Sequence, residues 1–357
     1  NARWDGENAS ASLGWSSDSG NGVEIVNIDD NAVANDVLVI STGAGALFNG
    51  KVYLIKDINS ASGILPLTTS TNYSVAWVGG SILDGLGTTA LAGDGVQLVN
   101  ADGNAYANDL IISATSADAG AADNGAVYLV MDVDKKSGSN DMATASNYRV
   151  RFAGGAASDK IGDSLTSGQG VQWVNVDGNA YANDLLITAT NADVGATDSG
   201  AVYLIKDVNT LSGNLALSSS TSYNVRWNLA TAGDVLGGTQ GSGLGVQLVN
   251  LDNNVVSNDL LLTAFGANIV SGDNGVVYLI SDINTLSGNK DLPTTTNFNL
   301  RIYGEGGMFL GSSNFSGPGT QLVNVDGNQF ANDLLLTASI SDAGGSDRGA
   351  VYLVRDI

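Results

Sequence analysis

The 357-residue sequence contains no cysteine and no histidine. The absence of cysteine excludes a disulfide framework, thiolate metal sites and thiol nucleophiles. The absence of histidine excludes a Ser-His-Asp triad, an imidazole base and histidine ligands for zinc. Most familiar catalytic machinery is therefore missing, and we expect a protein that is not an enzyme.

Positive charge is also scarce. The chain has 14 Lys and Arg against 36 Asp and Glu, for a net charge of -22. Such a chain repels phosphate backbones and anionic lipid head groups, so we expect no nucleic-acid partner. Its apolar runs reach only about six residues, far short of the roughly 18 needed to span a bilayer, so we expect no membrane insertion.

The chain begins at Asn1 rather than Met, which suggests a removed leader or a longer parent protein. Together with its acidity and lack of cysteine, this start favours an extracellular protein, secreted or at the cell surface, of bacterial origin. The sequence leaves its oligomeric state open.

One unit is repeated five times along the chain. An Asn-Asp pair followed by aliphatic residues recurs with spacings of 73, 75, 75 and 74, at Asp36, Asp109, Asp184, Asp259 and Asp333. Such self-similarity is typical of repeat architectures. We expect a single domain over residues 1–357 with repeat units at about 5–77, 78–152, 153–227, 228–302 and 303–357, the last joined by 1–4.

Each repeat reads as a four-stranded meander. In the third repeat we expect strands over 170–175, 184–189, 201–205 and 222–227. The second and third strands are apolar on both faces and need cover on both sides, as when blades stack in a propeller. The fourth alternates, with Tyr223, Val225 and Trp227 on one face, which indicates an outermost strand.

The two ends of the chain match each other. The last repeat stops after its third strand, and residues 1–4 align with residues 224–227 of the third repeat. We therefore expect an all-β fold, a single five-bladed β-propeller with four strands per blade, whose last blade is completed by the N-terminal strand. The alternative is that, in a longer parent, this strand finishes a preceding repeat.

The loop between the first two strands of each repeat carries oxygen-bearing side chains at its positions 1, 3, 5, 9 and 10. Hard cations such as Ca²⁺ bind six to eight oxygen ligands, so up to five Ca²⁺ are predicted. The alternative is that these loops are turns satisfied by their own backbone, without metal. The candidate ligands are Asn27, Asp29, Asn31, Asn35, Asp36, Asn100, Asp102, Asn104, Asn108, Asp109, Asn175, Asp177, Asn179, Asn183, Asp184, Asn250, Asp252, Asn254, Asn258, Asp259, Asn324, Asp326, Asn328, Asn332 and Asp333.

The repeat, of the form GDxLGxxxGxGxGVQLVNxDGNxxANDLLxTA and ending in GAVYLI, resembles the FG-GAP repeat of integrin-α-like β-propellers. The resemblance covers all five repeats and implies propeller blades, a calcium loop between the first two strands, and a role in adhesion. The loops depart from the family pattern by Asn at positions 1 and 5 and by one additional residue. Either Asn183 or Asp184 therefore takes the place of the family's last ligand.

Two further sets of residues recur at fixed positions. Aromatic side chains on the fourth strands either pack between blades or stack on sugars: Trp4, Trp77, Phe152 and Trp227. Aspartates after the third strands either cap turns or form a second cation site: Asp57, Asp132, Asp207, Asp282 and Asp356.

These observations predict an extracellular, calcium-binding structural or adhesive module whose partner is a protein or glycan on a surface. The alternative is a carbohydrate-binding propeller lectin. A hydrolase would need one repeat with acids that the others lack, and only Glu305 points that way.

Overall fold

The computed structural model describes residues 1–15, 21–45, 48–88, 94–164, 169–239, 244–269, 272–312, 319–327, 329–342 and 346–357. Within them the chain is all-β. Its first strands are β1 (Ala2–Asp5), β2 (Val23–Val26), β3 (Asp36–Ser41), β4 (Lys51–Ile55), β5 (Gly63–Pro66), β6 (Val75–Val78), β7 (Val96–Val99), β8 (Asp109–Ala114), β9 (Ala126–Val130), β10 (Gly138–Asp141) and β11 (Val150–Ala153).

The remaining strands follow the same order. They are β12 (Val171–Val174), β13 (Asp184–Ala189), β14 (Ala201–Ile205), β15 (Gly213–Ala216), β16 (Val225–Asn228), β17 (Val246–Val249), β18 (Asp259–Ala264), β19 (Val276–Ile280), β20 (Gly288–Asp291), β21 (Leu300–Tyr303), β22 (Thr320–Val323), β23 (Asp333–Ala338) and β24 (Ala350–Val354).

Helices are confined to single 3₁₀ turns in the described residues. They cover Ile58–Ser60, Ser70–Asn72, Val133–Lys135, Ala145–Asn147, Val208–Thr210, Ile283–Thr285 and Thr295–Asn297. Among the helices of the described ranges, none has the length and apolar character to cross a membrane.

The chain divides into two compact units. Unit 1 comprises Asn1–Gly162 and Asp207–Ser222, and unit 2 comprises Asp163–Lys206 and Tyr223–Ile357. Unit 1 holds a pair of strands, β1-β5, and two five-stranded sheets, β10-β6-β4-β3-β2 and β15-β11-β9-β8-β7. Unit 2 holds sheets of five, four and three described strands, β12-β13-β14-β16-β20, β17-β18-β19-β21 and β22-β23-β24.

The second and third strands of the repeats form the centres of these sheets, as their apolar sequences predict. Every residue of β8 and of β9 is buried. In unit 1, one apolar cluster contains both Leu54 and Trp77 of one five-stranded sheet and Leu110 of the other, so the two sheets pack face to face. The expected cover on both faces is confirmed for the second and third strands of the first four repeats, whereas β24 of the fifth repeat is partly exposed.

The number of strands per sheet differs from the expectation of four. Three sheets contain a fifth strand that comes from the following repeat and pairs in parallel with the fourth strand. In unit 2, for example, β20 lies alongside β16 with Val225 opposite Gly288. The prediction that the fourth strand is outermost is therefore wrong for β6, β11 and β16, whereas β21 is the last described strand of its sheet. Val225 and Trp227 are accordingly 0% exposed.

The N-terminal strand is also placed differently from the expectation. β1 pairs in parallel with β5, with Ala2 opposite Gly63, which is the relation that β16 has to β20. The last sheet contains three described strands, β22, β23 and β24. Among the described strand pairs, β1 does not pair with β24 of the last sheet. A closed ring and its count of five blades stay predictions.

The aromatic residues of the fourth strands belong to the core. Trp77, Phe152 and Trp227 are each 0% exposed, and Trp4 packs, partly buried, against the cluster that contains Val37. A buried ring cannot stack on a sugar, so these three positions serve packing between sheets. The prediction that these rings pack between blades is therefore confirmed for Trp77, Phe152 and Trp227.

Glycines bring backbone segments together ahead of the first strands. At Gly245 a Cβ atom would lie 1.9 Å from the carbonyl oxygen of Gly237, and Gly237 itself has a φ of +82°. Neither position tolerates a side chain without a backbone shift. The glycine-rich segments between each fourth strand and the following first strand, here called returns, are thus explained by close backbone contact.

Asp84 fixes one of these returns in unit 1. It is 3% exposed, and its carboxylate accepts hydrogen bonds from the backbone N–H groups of Ser81 at 2.6 Å and Asp118 at 3.3 Å. Burial nevertheless raises the pKa of Asp84 above its ordinary value of 3.8, because desolvation penalises the charged form.

This raised pKa predicts a pH effect on stability. The folded state holds the proton of Asp84 more tightly than the unfolded state does. The stabilisation that results is fully present below pH 3.8 and is lost as the pH rises through the raised pKa. We expect the stability of the wild type relative to Asp84→Asn to increase as the pH falls from 7 towards 4, measured by denaturant unfolding in chelator. The exposed Asp123→Asn is the control, and an equal pH dependence in both variants would contradict the assignment.

Candidate metal centre

The loop of each repeat joins its first strand to its second. In the first repeat it leaves β2 and ends where Asp36 begins β3. The corresponding aspartates are fully buried at 0% exposure in all five repeats, at Asp36, Asp109, Asp184, Asp259 and Asp333. A buried carboxylate needs hydrogen-bond partners or a cation, so the partners decide its role.

Backbone N–H groups supply these partners. In the first repeat Asp36 Oδ2 accepts from Ile28 N at 2.9 Å, and Asp36 Oδ1 accepts from Asp57 N at 2.9 Å. The same two bonds recur in the fourth repeat, where Asp259 accepts from Leu251 N at 2.7 Å and from Asp282 N at 2.9 Å. The closing aspartate thus ties the loop to the turn that follows the third strand.

The aspartates after the third strands are held in an unusual conformation. Asp57 has φ 55° and ψ 43°, in the left-handed region, and its side chain makes no capping hydrogen bond to the 3₁₀ turn that follows. Asp132 and Asp282 share this conformation. They therefore precede the turns without capping them through their side chains. The interpretation of these aspartates as turn caps is wrong, and their side chains are considered next together with the loop.

In the first repeat the loop and the turn bring three carboxylates together. Oxygens of Asp29, Asp36 and Asp57 lie within 4.8 Å of one another. In unit 2, the fifth repeat has an equivalent group formed by Asp326, Asp333 and Asp356. Asp57 and Asp356 were expected either to cap turns or to form a second cation site, and instead their carboxylates lie among those of the loop.

The first loop also contains buried oxygens without a hydrogen-bond partner. These are Asn27 Oδ1, Asp29 Oδ1 and Asn35 Oδ1. Asn35 is 6% exposed, and its amide nitrogen is already used, donating to Asp57 Oδ1 at 2.9 Å. Unpaired buried oxygens next to three carboxylates are suited to a hard cation, which prefers oxygen ligands.

The second loop uses the equivalent groups differently. Asp132 forms an ion pair with Lys135 at 2.6 Å, and Asn108 donates to Asp134 at 2.8 Å. Asn104 donates to Asn108 Oδ1 at 2.8 Å. Burial raises the pKa of Asp109, and the nearby carboxylates add to the rise. Lys135 thus already pairs with the carboxylate of Asp132.

The fourth loop is largely satisfied by its own side chains. Asn254 donates to Asp252 Oδ2 at 3.0 Å and to Asn258 Oδ1 at 3.1 Å. Asn258 in turn donates to Asp282 Oδ1 at 3.1 Å, and Asn250 donates to the backbone oxygen of Asn254. This loop matches the metal-free alternative most closely.

The third and fifth loops share an Asx turn. Asn175 Oδ1 accepts from Gly178 N at 2.9 Å, and Asn324 Oδ1 accepts from Gly327 N at 2.9 Å. In the third loop Asp177 Oδ1 is buried without a partner, whereas Asn179 donates to Asn183 Oδ1 at 3.0 Å. Asn328, a predicted ligand of the fifth loop, lies outside the described residues.

The remaining predicted ligands of the first two loops take part in local contacts. Asn31 accepts from Val33 N through its side chain and from Asn27 through its backbone oxygen. Asp102 accepts from Asn104 N at 3.2 Å, and Asn100 Oδ1 is buried without a partner. Five similar sequences therefore give loops with different hydrogen bonding.

A scan of the chain against models of known protein families finds no match, and a search among curated proteins finds none. The likeness of the repeats to FG-GAP blades stays a prediction, and the interpretation of the site depends on its own geometry.

Proposed function

We propose that this chain is a calcium-binding structural module of an extracellular protein, secreted or at the cell surface, built from blades of the propeller type and serving adhesion to a protein partner. The observation that carries the proposal is the first loop, where Asp29, Asp36 and Asp57 gather and where buried oxygens of Asn27, Asp29 and Asn35 have no hydrogen-bond partner. No catalytic role is part of the proposal.

Electrostatics favour a divalent cation at this place. Three carboxylates within 4.8 Å of one another repel, in a chain that already has a net charge of -22. A bound Ca²⁺ would offset this repulsion and use the oxygens of Asn27, Asp29 and Asn35 as ligands. Ca²⁺ accepts six to eight oxygens in a flexible arrangement, whereas Mg²⁺ demands a small octahedral one, so Ca²⁺ fits these loops better.

The proposal assigns the five loops different affinities. The first and fifth loops, each with three gathered carboxylates, are expected to bind Ca²⁺ before the second and fourth. In the second loop Lys135 already pairs with Asp132, and in the fourth loop the amides of Asn254 and Asn258 already occupy the oxygens. Calcium would stabilise the folded chain by linkage, because the unfolded chain lacks the gathered ligands.

Calorimetric titration of chelator-treated protein with Ca²⁺ tests this proposal. We expect Asp29→Asn to remove one bound ion from the tight class, because it removes a charged ligand and keeps the side-chain shape. Asp102→Asn, the same position in the second loop, is the matched control and should leave the tight class unchanged. No heat of binding up to millimolar Ca²⁺, or equal losses in the two variants, would contradict the assignment.

A further inference from the structure

The same cleft occurs in two repeats. In the first repeat, within unit 1, it measures about 240 Å³, and in the fourth repeat, within unit 2, it measures about 300 Å³. Each cleft is lined by the end of the third strand, by parts of the two 3₁₀ turns that follow and by the short strand between those turns. Every lining residue in the fourth repeat has a lining counterpart at the same position of the first, as Asp282 has in Asp57. We call this feature the repeat cleft.

An isoleucine and an aromatic ring line both clefts. They are Ile55 and Tyr73 in the first repeat and Ile280 and Phe298 in the fourth. Each ring is partly buried and packs edge to face against the third-strand tyrosine of its own repeat, with centroids 5.3 Å apart in both cases. Because this contact fixes the ring, the cleft offers a rigid apolar surface to a ligand.

The polar side chains of the fourth-repeat cleft are each held by one end. Asn297 Nδ2 donates to the backbone oxygen of Asp291 at 2.8 Å, and Asn299 Oδ1 accepts from Ser281 N at 2.8 Å. Among the described residues, Asn297 Oδ1 and Asn299 Nδ2 have no further partner. One acceptor and one donor are therefore held in place on the lining of the cleft and are available to a ligand.

The first repeat has the same arrangement, with a hydroxyl in place of the second amide. Asn72 Nδ2 donates to Pro66 O at 2.8 Å, and Ser74 Oγ accepts from Lys56 N at 3.1 Å. These bonds leave Asn72 Oδ1 as an acceptor and the hydroxyl hydrogen of Ser74 as a donor. A ligand group that donates and accepts at once, such as a hydroxyl group, suits both clefts.

Charge favours a neutral ligand. Among the described lining residues, an aspartate is the one charged residue that both clefts share, as Asp57 and Asp282. Each cleft also has a lysine, but at different positions, Lys56 in one and Lys290 in the other. An anion therefore has no cationic partner common to the two clefts, and the net charge of -22 repels it.

We propose that the repeat cleft binds one sugar ring of a neutral glycan, a ligand additional to the protein partner proposed above. A sugar ring has an apolar face of C–H groups, which suits the isoleucine and the aromatic ring, and hydroxyl groups at its edge, which suit the amides. Drug-sized ligands occupy pockets of about 300–1,000 Å³, so these smaller clefts fit a unit as small as one ring. The proposal is independent of calcium, because the carboxylates of the fourth loop are not gathered in the described structure.

Binding to an array of immobilised glycans, measured in chelator, tests the proposal. The array carries neutral oligosaccharides that end in glucose, galactose, mannose or N-acetylglucosamine, together with sialylated and sulfated forms of the same oligosaccharides. We expect the protein to bind a subset of the neutral glycans. Binding confined to the charged forms, or binding to no glycan, would overturn the proposal.

A double variant, Thr71→Arg with Thr296→Arg, fills both clefts. The two threonines line the clefts and are exposed, and among the described residues their side chains make no hydrogen bond. The matched control is Thr69→Arg with Thr294→Arg, which adds the same charge at exposed residues two positions earlier, outside the lining. We expect glycan binding to be lost in the first variant and kept in the control. Equal binding by the two would overturn the proposal.

Amide chemical shifts of the unmodified protein give a readout that does not depend on the folding of a variant. The methyl glycoside of the sugar that binds best on the array is titrated in chelator, and ¹H–¹⁵N spectra are recorded. We expect the largest shifts at the amides of Ser281 and Phe298 in the fourth repeat or of Lys56 and Tyr73 in the first. Shifts at neither cleft, with binding elsewhere, would overturn the proposal.

Discussion

Replacing Trp227 with alanine should lower the free energy of unfolding by about 3–5 kcal/mol, the usual cost of removing a large buried aromatic side chain. Trp227 is 0% exposed, and β16 holds it between Val202 of β14 and Lys290 of β20. The surrounding apolar cluster is formed by two sheets of unit 2. Neither sheet can collapse into the space without breaking its strand pairing, so most of the cavity should persist.

Denaturant unfolding of the two proteins in chelator measures this loss. Trp15→Ala is the matched control, since Trp15 is 54% exposed and should change stability by no more than about 0.5 kcal/mol. Equal losses at the two tryptophans would contradict the packing role. Binding of a glycan that disappears in Trp227→Ala, with stability unchanged, would instead support stacking of this ring on a sugar.

The sequence allowed the centres of the sheets to be predicted because burial on both faces leaves a simple signal. Val202, Leu204 and Ile205 have no polar neighbour within β14, and such a run is stable only when both faces are covered. The periodic spacing of Asp184 and Asp259 likewise placed every loop between the same two strands. Local composition was sufficient for these features.

The fifth strand of the sheets could not be predicted in the same way. β20 has the sequence GNKD, without alternation of apolar and polar residues, and it appears in the sequence as part of a loop. It becomes a strand because the edge of β16 offers unpaired backbone groups for a parallel partner. The partner lies one repeat earlier in the chain, so no local pattern reports it. β1 pairs with β5 in the same parallel arrangement.

The candidate site was predicted in part for a related reason. The loop positions of Asp29 and Asp36 followed from sequence spacing, whereas the inclusion of Asp57 required the left-handed backbone after β4. Its signal was present in the constant recurrence of an aspartate after each third strand. What the sequence did not report was the hydrogen bond from Asp57 N to Asp36 Oδ1, which joins the two segments.

The closing aspartates have a structural role that a second stability experiment isolates. Asp259 is 0% exposed and accepts the N–H groups of Leu251 and Asp282 through its two oxygens. Replacing it with alanine leaves the buried Leu251 N–H unpaired, at about 1–3 kcal/mol, and removes the part-buried bond from Asp282 N as well. Burial raises the pKa of Asp259, because desolvation disfavours the charged carboxylate. This desolvation cost offsets part of the stabilisation that its two hydrogen bonds provide. We therefore expect Asp259→Ala to cost about 3 kcal/mol.

The fourth loop suits this measurement because, in the described structure, its carboxylates are not gathered as those of the first loop are. The measurement is made in the presence of chelator. The loss of stability then cannot come from a displaced cation. Asp259→Asn should give an intermediate loss, since its amide keeps one acceptor and turns a donor towards the other N–H. The exposed Asp252→Ala in the same loop should cost no more than about 0.5 kcal/mol. Hydrogen exchange should show faster exchange of the Leu251 and Asp282 amides in Asp259→Ala, and unchanged protection of both would show that the buried carboxylate does not join the loop to the turn.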